Sequence, residues 1–533
     1  MNKLRATRVC WGFVFAAACF LSCAVCMRPS ASANALYDEP WRPQYHFTPP
    51  KNFMNDPNGL VLYKGEYHLF YQHNPQGQEW GHMSWGHAVS SDLLHWRHLP
   101  LAIPEDPAFM IYSGSTVVDW RNSSGLCTGA DSQTPSCLAA IYTAAAKDKQ
   151  SQNLAFSSDR GRTWTNYSGN PIADFRQPDF RDPKVFWYEP QKKWVMVAVF
   201  ADEKQVKILD SRDLKTWKLQ STFGPPGEGP LSGGPLSQSK GQWECPDLFE
   251  LSLDSDKSKT KWVLVVNRNP GAPAGGTGTQ YFVGSFDGVK FVNETSASQE
   301  LWADYGKDFY ATNSFSDIPT KDGRRIWMGW ISNWQYANVE PTKLWRGAQS
   351  LPRSLQLKTL PDGVRLIQTP VQETAKLRAQ QLVHLGRVSV AEANKSLGYA
   401  GIHGDLLEIQ AEILPPTLGE IGLRLRKGAG QETVIAVSAG RKQIFIDRTR
   451  SGEASFSPDF PGRHSANLRW TYPIKLHIFL DRSSIELFAN DGETVLTDRI
   501  YPAPQADGVE LFSSAKAGKL QSLTIWKLRS IWR

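Results

Sequence analysis

The strongest constraint on how this chain can fold is an acid-bearing turn that returns at a regular interval. Lys51 to Gln72 reads as a tight Asn55-Asp56-Pro57-Asn58-Gly59 turn, then two short apolar and aromatic runs, Leu60–Tyr63 and Tyr67–Tyr71, folded about Lys64-Gly65-Glu66. That is a hairpin with a carboxylate at its entry. Arg181-Asp182-Pro183 repeats the design ahead of Val185–Tyr188 and Trp194–Phe200, and Glu244-Cys245-Pro246-Asp247 repeats it ahead of Leu248–Leu253 and Trp262–Asn267. Pro57 to Pro183 spans 126 positions and Pro183 to Pro246 spans 63, so the first gap is two copies of the second.

A second periodic element runs in step with the first. Ser91–Trp96, Ser158–Trp164, Arg212–Trp217 and Phe286–Phe291 each place an acidic turn before a large aromatic, and each follows a strand-like run. Copies spaced by roughly fifty to seventy residues in a strand-rich chain predict a β-propeller, each blade a four-stranded meander. Extending the period past Pro246 lands on Asp308-Phe309-Tyr310, ahead of Arg325–Ile331, and Tyr112-Ser113-Gly114-Ser115 enters a further blade. The expectation is an all-β chain with a five-bladed propeller over 36–370, a charged linker with some helix over 371–397 and a C-terminal β-sandwich over 398–533. Eight alternating strands carry the sandwich expectation: Leu406–Ile413, Ile421–Leu425, Thr433–Ser438, Gln443–Asp447, Ile474–Asp481, Ser484–Ala489, Val509–Ser513 and Gln521–Lys527.

Composition agrees with many turns and several cores: 533 residues, 42 Gly, 34 Pro and 11% aromatics. The net charge of +7 is mild and forms no basic stripe, so nucleic acid is not an expected partner. Residues 1–35 read as a secretory signal: Lys3, Arg5 and Arg8, an apolar run from Trp11 to Val25, then a small-residue stretch ending Ala33-Asn34-Ala35. The run is short for a membrane span and nothing like it follows, so the mature chain is expected to be exported without a span. A lipid anchor on Cys23 or Cys26 is the alternative, against a poorly matching lipobox. Outside that segment stand Cys127, Cys137 and Cys245. The first two bracket a polar loop that could close as a disulfide or remain open, and Cys245 is left free. Asn122, Asn166, Asn293 and Asn394 begin Asn-X-Ser/Thr sequons, which matter only in a eukaryotic host. Oligomeric state cannot be read from the chain.

In a propeller the innermost strands line one axis, so the repeat brings Asp56, Asp182 and Glu244 to one mouth, with Arg181 among them. Any single aspartate before proline is most simply a turn former. A set of three acids in one place is costly to bury unless used or paired. Two facing carboxylates are what glycoside hydrolysis requires, one as nucleophile or base and one as proton donor. Asp56, among Asn side chains and turn amides that would keep it ionised, suits the nucleophile. Glu244, beside Trp243 and near two aspartates, is expected to have a raised pKa and suits the acid/base. Asp182 is left to bind hydroxyls and steady developing positive charge. His82 and His87 share no helix face, so neither a metal nor a cofactor is expected. The rival reading of another class is a carbohydrate-binding propeller without turnover, which has no need of a paired acid and nucleophile.

Phe53-Met54-Asn55-Asp56-Pro57-Asn58-Gly59, Arg181-Asp182-Pro183 and Trp243-Glu244-Cys245-Pro246 resemble the three signature motifs of glycoside hydrolase family 32, the β-fructosidases. The resemblance runs from about Tyr45 to the C-terminus. It implies a five-bladed propeller plus β-sandwich, retention through a fructosyl-enzyme, and no metal. It also implies Asp56 as nucleophile, Glu244 as acid/base and Asp182 as transition-state stabiliser, with Asn55, Pro57, Asn58, Gln72, Trp80, Tyr112, Ser113, Arg181 and Trp334 around the terminal fructose. The bland reading of Trp80 and Trp334 is core aromatics in a chain with 20 Trp, and that of Gln72 and Ser113 is ordinary satisfied polar groups. Two positions depart from the family pattern: Phe53 stands where Trp is usual, and Tyr112 where Trp or Phe is usual. The Gly-rich segment Asn269–Gln280 resembles microbial levanases and exo-inulinases more than plant invertases. An exo-acting fructanase is therefore expected on levan or inulin, with sucrose a side substrate and with a sucrose-specific invertase or a fructosyltransferase as the alternatives on the same fold.

Overall fold

The computed structural model describes residues 36–127, 136–225, 241–296, 299–515 and 518–532. The expected signal segment 1–35 lies outside the described residues. Up to Pro370 the chain is a succession of antiparallel meanders. The first runs Asn52–Tyr63, Glu66–Asn74, Ser84–Ser90, Arg97–Ile103, with Trp345–Arg346 added alongside Asn52–Tyr63. The next opens with Met110–Asp119, and others open with Phe180–Tyr188, Gln242–Leu253 and Tyr310–Ser314. Each opening strand packs on the next, and Tyr310–Ser314 packs back on Asn52–Tyr63, so the inner strands close a circuit around an axis.

The periodic Asp before an aromatic turns out to be a local cap. Asp92 accepts the backbone N–H groups of Leu94 and His95 (3.1 and 2.9 Å), Asp159 those of Arg162 and Thr163 (3.0 and 2.9 Å), Asp213 those of Lys215 and Thr216 (2.9 and 2.7 Å), and Asp287 those of Val289 and Lys290 (both 2.8 Å). A short carboxylate that satisfies two turn amides fixes the bend. The following aromatic then packs inward, with Trp96 and Phe291 both buried.

Beyond Pro370, strands form two packed sheets. One runs Arg378–Leu385, Lys519–Leu528, Leu407–Leu414, Ile474–Asp481, Ser484–Ala489, Thr494–Arg499, and the other Arg463–Asn467, Gln443–Arg450, Gln431–Ser438, Glu420–Gly428, Gly508–Ser513. Their inward residues, among them Ile409, Ile421, Ile435, Ile478, Leu487 and Ile525, share one buried core. In the stretch expected as a linker, Arg378–Leu385 pairs with Lys519–Leu528 as part of the sandwich. The helix Val390–Tyr399 follows, closed at its start by a Ser389/Glu392 capping box. The alternation at Arg378–Leu385 is masked by Arg378, Gln380, Gln381 and His384, which made the segment read as linker.

Buried ion pairs join the two units. Arg353, at the end of the propeller, donates to Glu486 Oε2 (3.0 and 2.6 Å) on a sandwich strand, and Arg448 of the sandwich donates to Asp308 Oδ2 (2.5 Å). His46 sits between Asp481 (2.9 Å) and Glu486 (2.8 Å), all three fully buried. Cys127 and Cys137 are joined as a disulfide, and Cys245 is free and buried.

Candidate active site

Every opening strand carries a two-to-one β-bulge at the same height. Asn55 and Asp56 lie opposite Gln72 alone, Tyr112 and Ser113 opposite Thr143, Asp182 and Pro183 opposite Ala198, Cys245 and Pro246 opposite Val266, and Ala311 and Thr312 opposite Gly329. A bulge bends its strand and re-aims the unpaired residues, here toward the axis. It also makes proline harmless, because no ladder hydrogen bond is asked of Pro183 or Pro246. Asp182, Cys245 and Ala311 take positive φ (61°, 42° and 52°), the local strain of that geometry. Gly114 follows its bulge where a Cβ would sit 2.1 Å from the Ile141 carbonyl, which explains the glycine of Ser113-Gly114-Ser115.

Ladder register corrects one step of the sequence reading. Aligning on proline puts Asn55 with Arg181 and Glu244, whereas the bulges align Met54 with Ile111, Arg181, Glu244 and Tyr310. Asp56 is therefore one residue further along and shares its place with Ser113. The turn at Pro57 is offset because its proline follows the bulge instead of completing it.

The three acids still converge. Asn55, Asp56, Gln72, Trp80, Tyr112, Ser113, Arg181, Asp182, Glu244 and Trp334 line one cavity of about 370 Å³. Pro57 and Asn58 do not reach it: both are buried in the strand behind Asp56. Phe53 does not line it either, being fully buried behind Trp334 with ring centres 6.1 Å apart. Sequence reasoning missed Gln150, Asn269 and Asn338 on the wall, and Tyr310 and the Cys245 thiol behind the acids. Of these, Tyr310 was reachable, because the 63-residue period lands beside it and register equates it with Glu244.

Asp56 accepts from Ser113 Oγ (2.7 Å), Asn55 Nδ2 (2.9 Å) and the Cys245 thiol (3.4 Å). These donors replace the turn amides expected from sequence. Burial, only partly offset by the Ser113 and Asn55 bonds and reinforced by the charge of Glu244, raises its pKa to about 6. Asp182 accepts the Cys245 backbone N–H (2.9 Å), and its own N–H donates to Thr143 Oγ1 (2.9 Å). Burial raises Asp182 to about 7 against the lowering effect of Arg181, with Glu244 adding to the rise. Glu244 faces the cavity with one oxygen on Arg181 Nη2 (3.0 Å) and the other on the Tyr310 hydroxyl. Trp243, expected to hem Glu244, points the other way into the core beside Phe223 and Phe282. The rest of the wall mixes amides with aromatics: Trp80, 39% exposed, meets Tyr112 edge-on at 5.8 Å.

Three carboxylates and one guanidinium in a small pocket can hold a proton on one acid while another attacks, and the hydroxyl and amide groups around them can fix a sugar. Among the described residues no cluster of His, Cys, Asp and Glu suits a metal ion.

Comparisons with known proteins agree with this arrangement. The chain is 48% identical over 507 residues to the levanase of Bacillus subtilis (strain 168), covering 94% of this chain and 72% of that protein. It is 38% identical over 534 residues to the extracellular exo-inulinase of Aspergillus awamori, covering 93% and 96%. The crystal structure of exo-inulinase from Aspergillus awamori superposes with a TM-score of 0.81 at 36% identity, over 93% of this chain and all of that one. Residues 46–370 match the glycosyl hydrolases family 32 N-terminal domain and 373–527 the glycosyl hydrolases family 32 C terminal, and the chain belongs to that family of glycoside hydrolases.

Proposed function

We propose that the protein is an exported, retaining exo-β-fructosidase that removes terminal non-reducing β-D-fructofuranosyl residues from levan or inulin and also accepts sucrose. The observation that carries the reading is that Asp56 and Glu244 line one pocket, with Asp182 between Arg181 and Cys245. At about 370 Å³ the pocket is near the lower end of ligand sites, roughly 300–1,000 Å³, which suits a chain end better than a long stretch of polymer. Asp56 attacks the anomeric carbon, Glu244 gives its proton to the departing oxygen and then takes one from water, and Asp182 steadies the oxocarbenium-like charge. Asn55, Gln72, Trp80, Tyr112, Ser113, Arg181 and Trp334 hold the sugar, while Pro57 and Asn58 support Asp56 from behind.

The propeller is taken as 36–370 with five blades, supported by the closed circuit of inner strands, and the sandwich as 398–533 with the segment from Arg378 leading into it. Export rests on the residue pattern at 1–35 and on relatives described as extracellular. No described helix is long and apolar enough to cross a membrane.

Chromatography of products from levan, inulin and sucrose offered side by side tests the proposal. Free fructose as the sole early product from a fructan is expected. Released oligosaccharides, untouched polymers beside cleaved sucrose, or lengthened chains would each overturn it.

A further inference from the structure

The inner strands carry a second cavity at the far end of the axis. On Phe180–Tyr188, Asp182 faces the reaction pocket, while Trp187, about five residues or roughly 16 Å further on, lines a separate cavity of about 710 Å³. The same shift takes Ser113 to Val118 and Glu244 to Phe249. No residue lines both cavities. Lys184, buried in the wall of the far cavity, donates to Asn313 Oδ1 (2.7 Å) and to the Ser314 carbonyl and lies 3.6 Å from Asp247.

The wall of this far cavity has the makeup of a sugar site. Trp120, Trp187 and Trp262 supply aromatic surface, with the Arg121 guanidinium over one face of Trp187 at 4.6 Å, and Trp120 is 52% exposed. Two of the indoles are held in place by acids: Trp120 Nε1 donates to Asp317 (2.8 Å) and Trp187 Nε1 to Glu189 (2.5 Å). Charges of both signs alternate, Lys184 and Arg325 against Asp247 and Asp317, so there is no positive excess to select an anion. Asp247 is 1% exposed, and its Oδ1 has no hydrogen-bond partner among the described residues. A buried carboxylate oxygen without a donor is costly, and a hydroxyl supplies one. Aromatic faces for C–H surfaces and paired acids and cations for hydroxyls together select a neutral, polyhydroxylated ligand over an ionic or a purely apolar one.

Resting on the fructan reading above, we propose that this far cavity is a non-catalytic site that holds a run of sugar units from a fructan chain while ends are cleaved at the opposite mouth. Two attachments to one polymer raise the effective concentration of its ends at the reaction pocket. A disaccharide gains nothing from it.

The test uses full-length protein. Glu244→Gln, titrated calorimetrically with a fructo-oligosaccharide and with a levan-derived oligosaccharide, is expected to show two classes of site, and adding Trp120→Ala and Trp187→Ala to leave one. In the otherwise unaltered enzyme, Trp120→Ala with Trp187→Ala is expected to weaken retardation in levan- or inulin-containing gels by about tenfold, with kcat/KM on sucrose unchanged. If Trp187→Ala lowers sucrose cleavage by disturbing its neighbour Trp194, Trp120→Ala alone serves, since its ring is exposed. One class of site in Glu244→Gln, or full retardation of the tryptophan variants, would overturn the proposal. Failure of the fructosidase reading would appear separately, as absence of fructose from every substrate.

Discussion

At the scale of single residues, burial and hydrogen bonding give the three like acids different surroundings, which is what the proposed division of roles rests on. As the proposed nucleophile Asp56 must be ionised, and burial raises its pKa to about 6, so kcat/KM on sucrose is expected to fall as pH drops through that value. A pH profile flat well below it would contradict the assignment. Glu244→Gln is expected to lower turnover by about a thousandfold or more, with fructan binding kept, as measured by kinetics and calorimetry. Asp182 shows the stability side of the same chemistry. Its folded pKa of about 7 lies above the ordinary carboxylate value, so the folded state binds the proton more tightly and loses stability as pH rises from the unfolded pKa through about 7. Asp182→Asn is therefore expected to raise the unfolding midpoint at about pH 8 and to leave it unchanged near pH 3. An equal effect at both would remove the argument. All three acids were legible in the sequence because each sits in a short turn motif with a distinctive neighbour. Their partners were not, since these come from other strands: Ser113 on Asp56, Cys245 on Asp182, Tyr310 on Glu244.

At the scale of elements, the bulge is the unit that builds the pocket, and at two of the five the residue opposite, Gln72 or Thr143, ties one inner strand to the next. Gln72 donates to the Ile111 carbonyl (3.0 Å). Thr143 accepts from the Asp182 N–H (2.9 Å) while its hydroxyl lies 2.9 Å from Gln152 Oε1. Thr143→Val keeps the shape but orphans a buried N–H, so a loss of about 1–3 kcal/mol in stability is expected by denaturant titration, together with slower turnover. Unchanged stability and turnover would mean that the bulge at Asp182 holds itself. Periodicity in the sequence revealed the blades because Asp92, Asp159, Asp213 and Asp287 each cap a turn within four residues, a purely local device. It did not reveal the bulges, whose register is set by pairing with a separate strand. It also missed Arg463–Asn467 and Thr494–Arg499, short strands in which polar and charged residues blur the alternation.

At the scale of the whole molecule, the sandwich is bound to the propeller through buried charge. Burial works against a charged His46, but hydrogen bonds to Asp481 and Glu486 outweigh it and lift its pKa to about 9. That contribution is complete below the ordinary histidine value and is lost as pH rises through about 9. Arg353 neutralises Glu486 and also reaches Asp304 (3.1 Å). Arg353→Met takes the cation from buried Asp304 and leaves Glu486 with His46 alone, and a loss of about 3–5 kcal/mol is expected in equilibrium unfolding. A loss below about 1 kcal/mol would show that the network is dispensable. None of these partners could be paired from sequence, since His46 and Glu486 lie 440 positions apart. The division into a propeller followed by a sandwich was legible, because the turn repeats stop where the second pattern of strands begins.

The central claim is that Asp56 carries the sugar between two displacements assisted by Glu244. Its most direct test is mass spectrometry of peptides from Glu244→Gln after brief exposure to a fructosyl donor with an activated leaving group. The account predicts one added hexosyl unit on the peptide containing Asp56 and none on the peptide containing Asp182. A label on another residue, or no label with product released in inverted configuration, would contradict it.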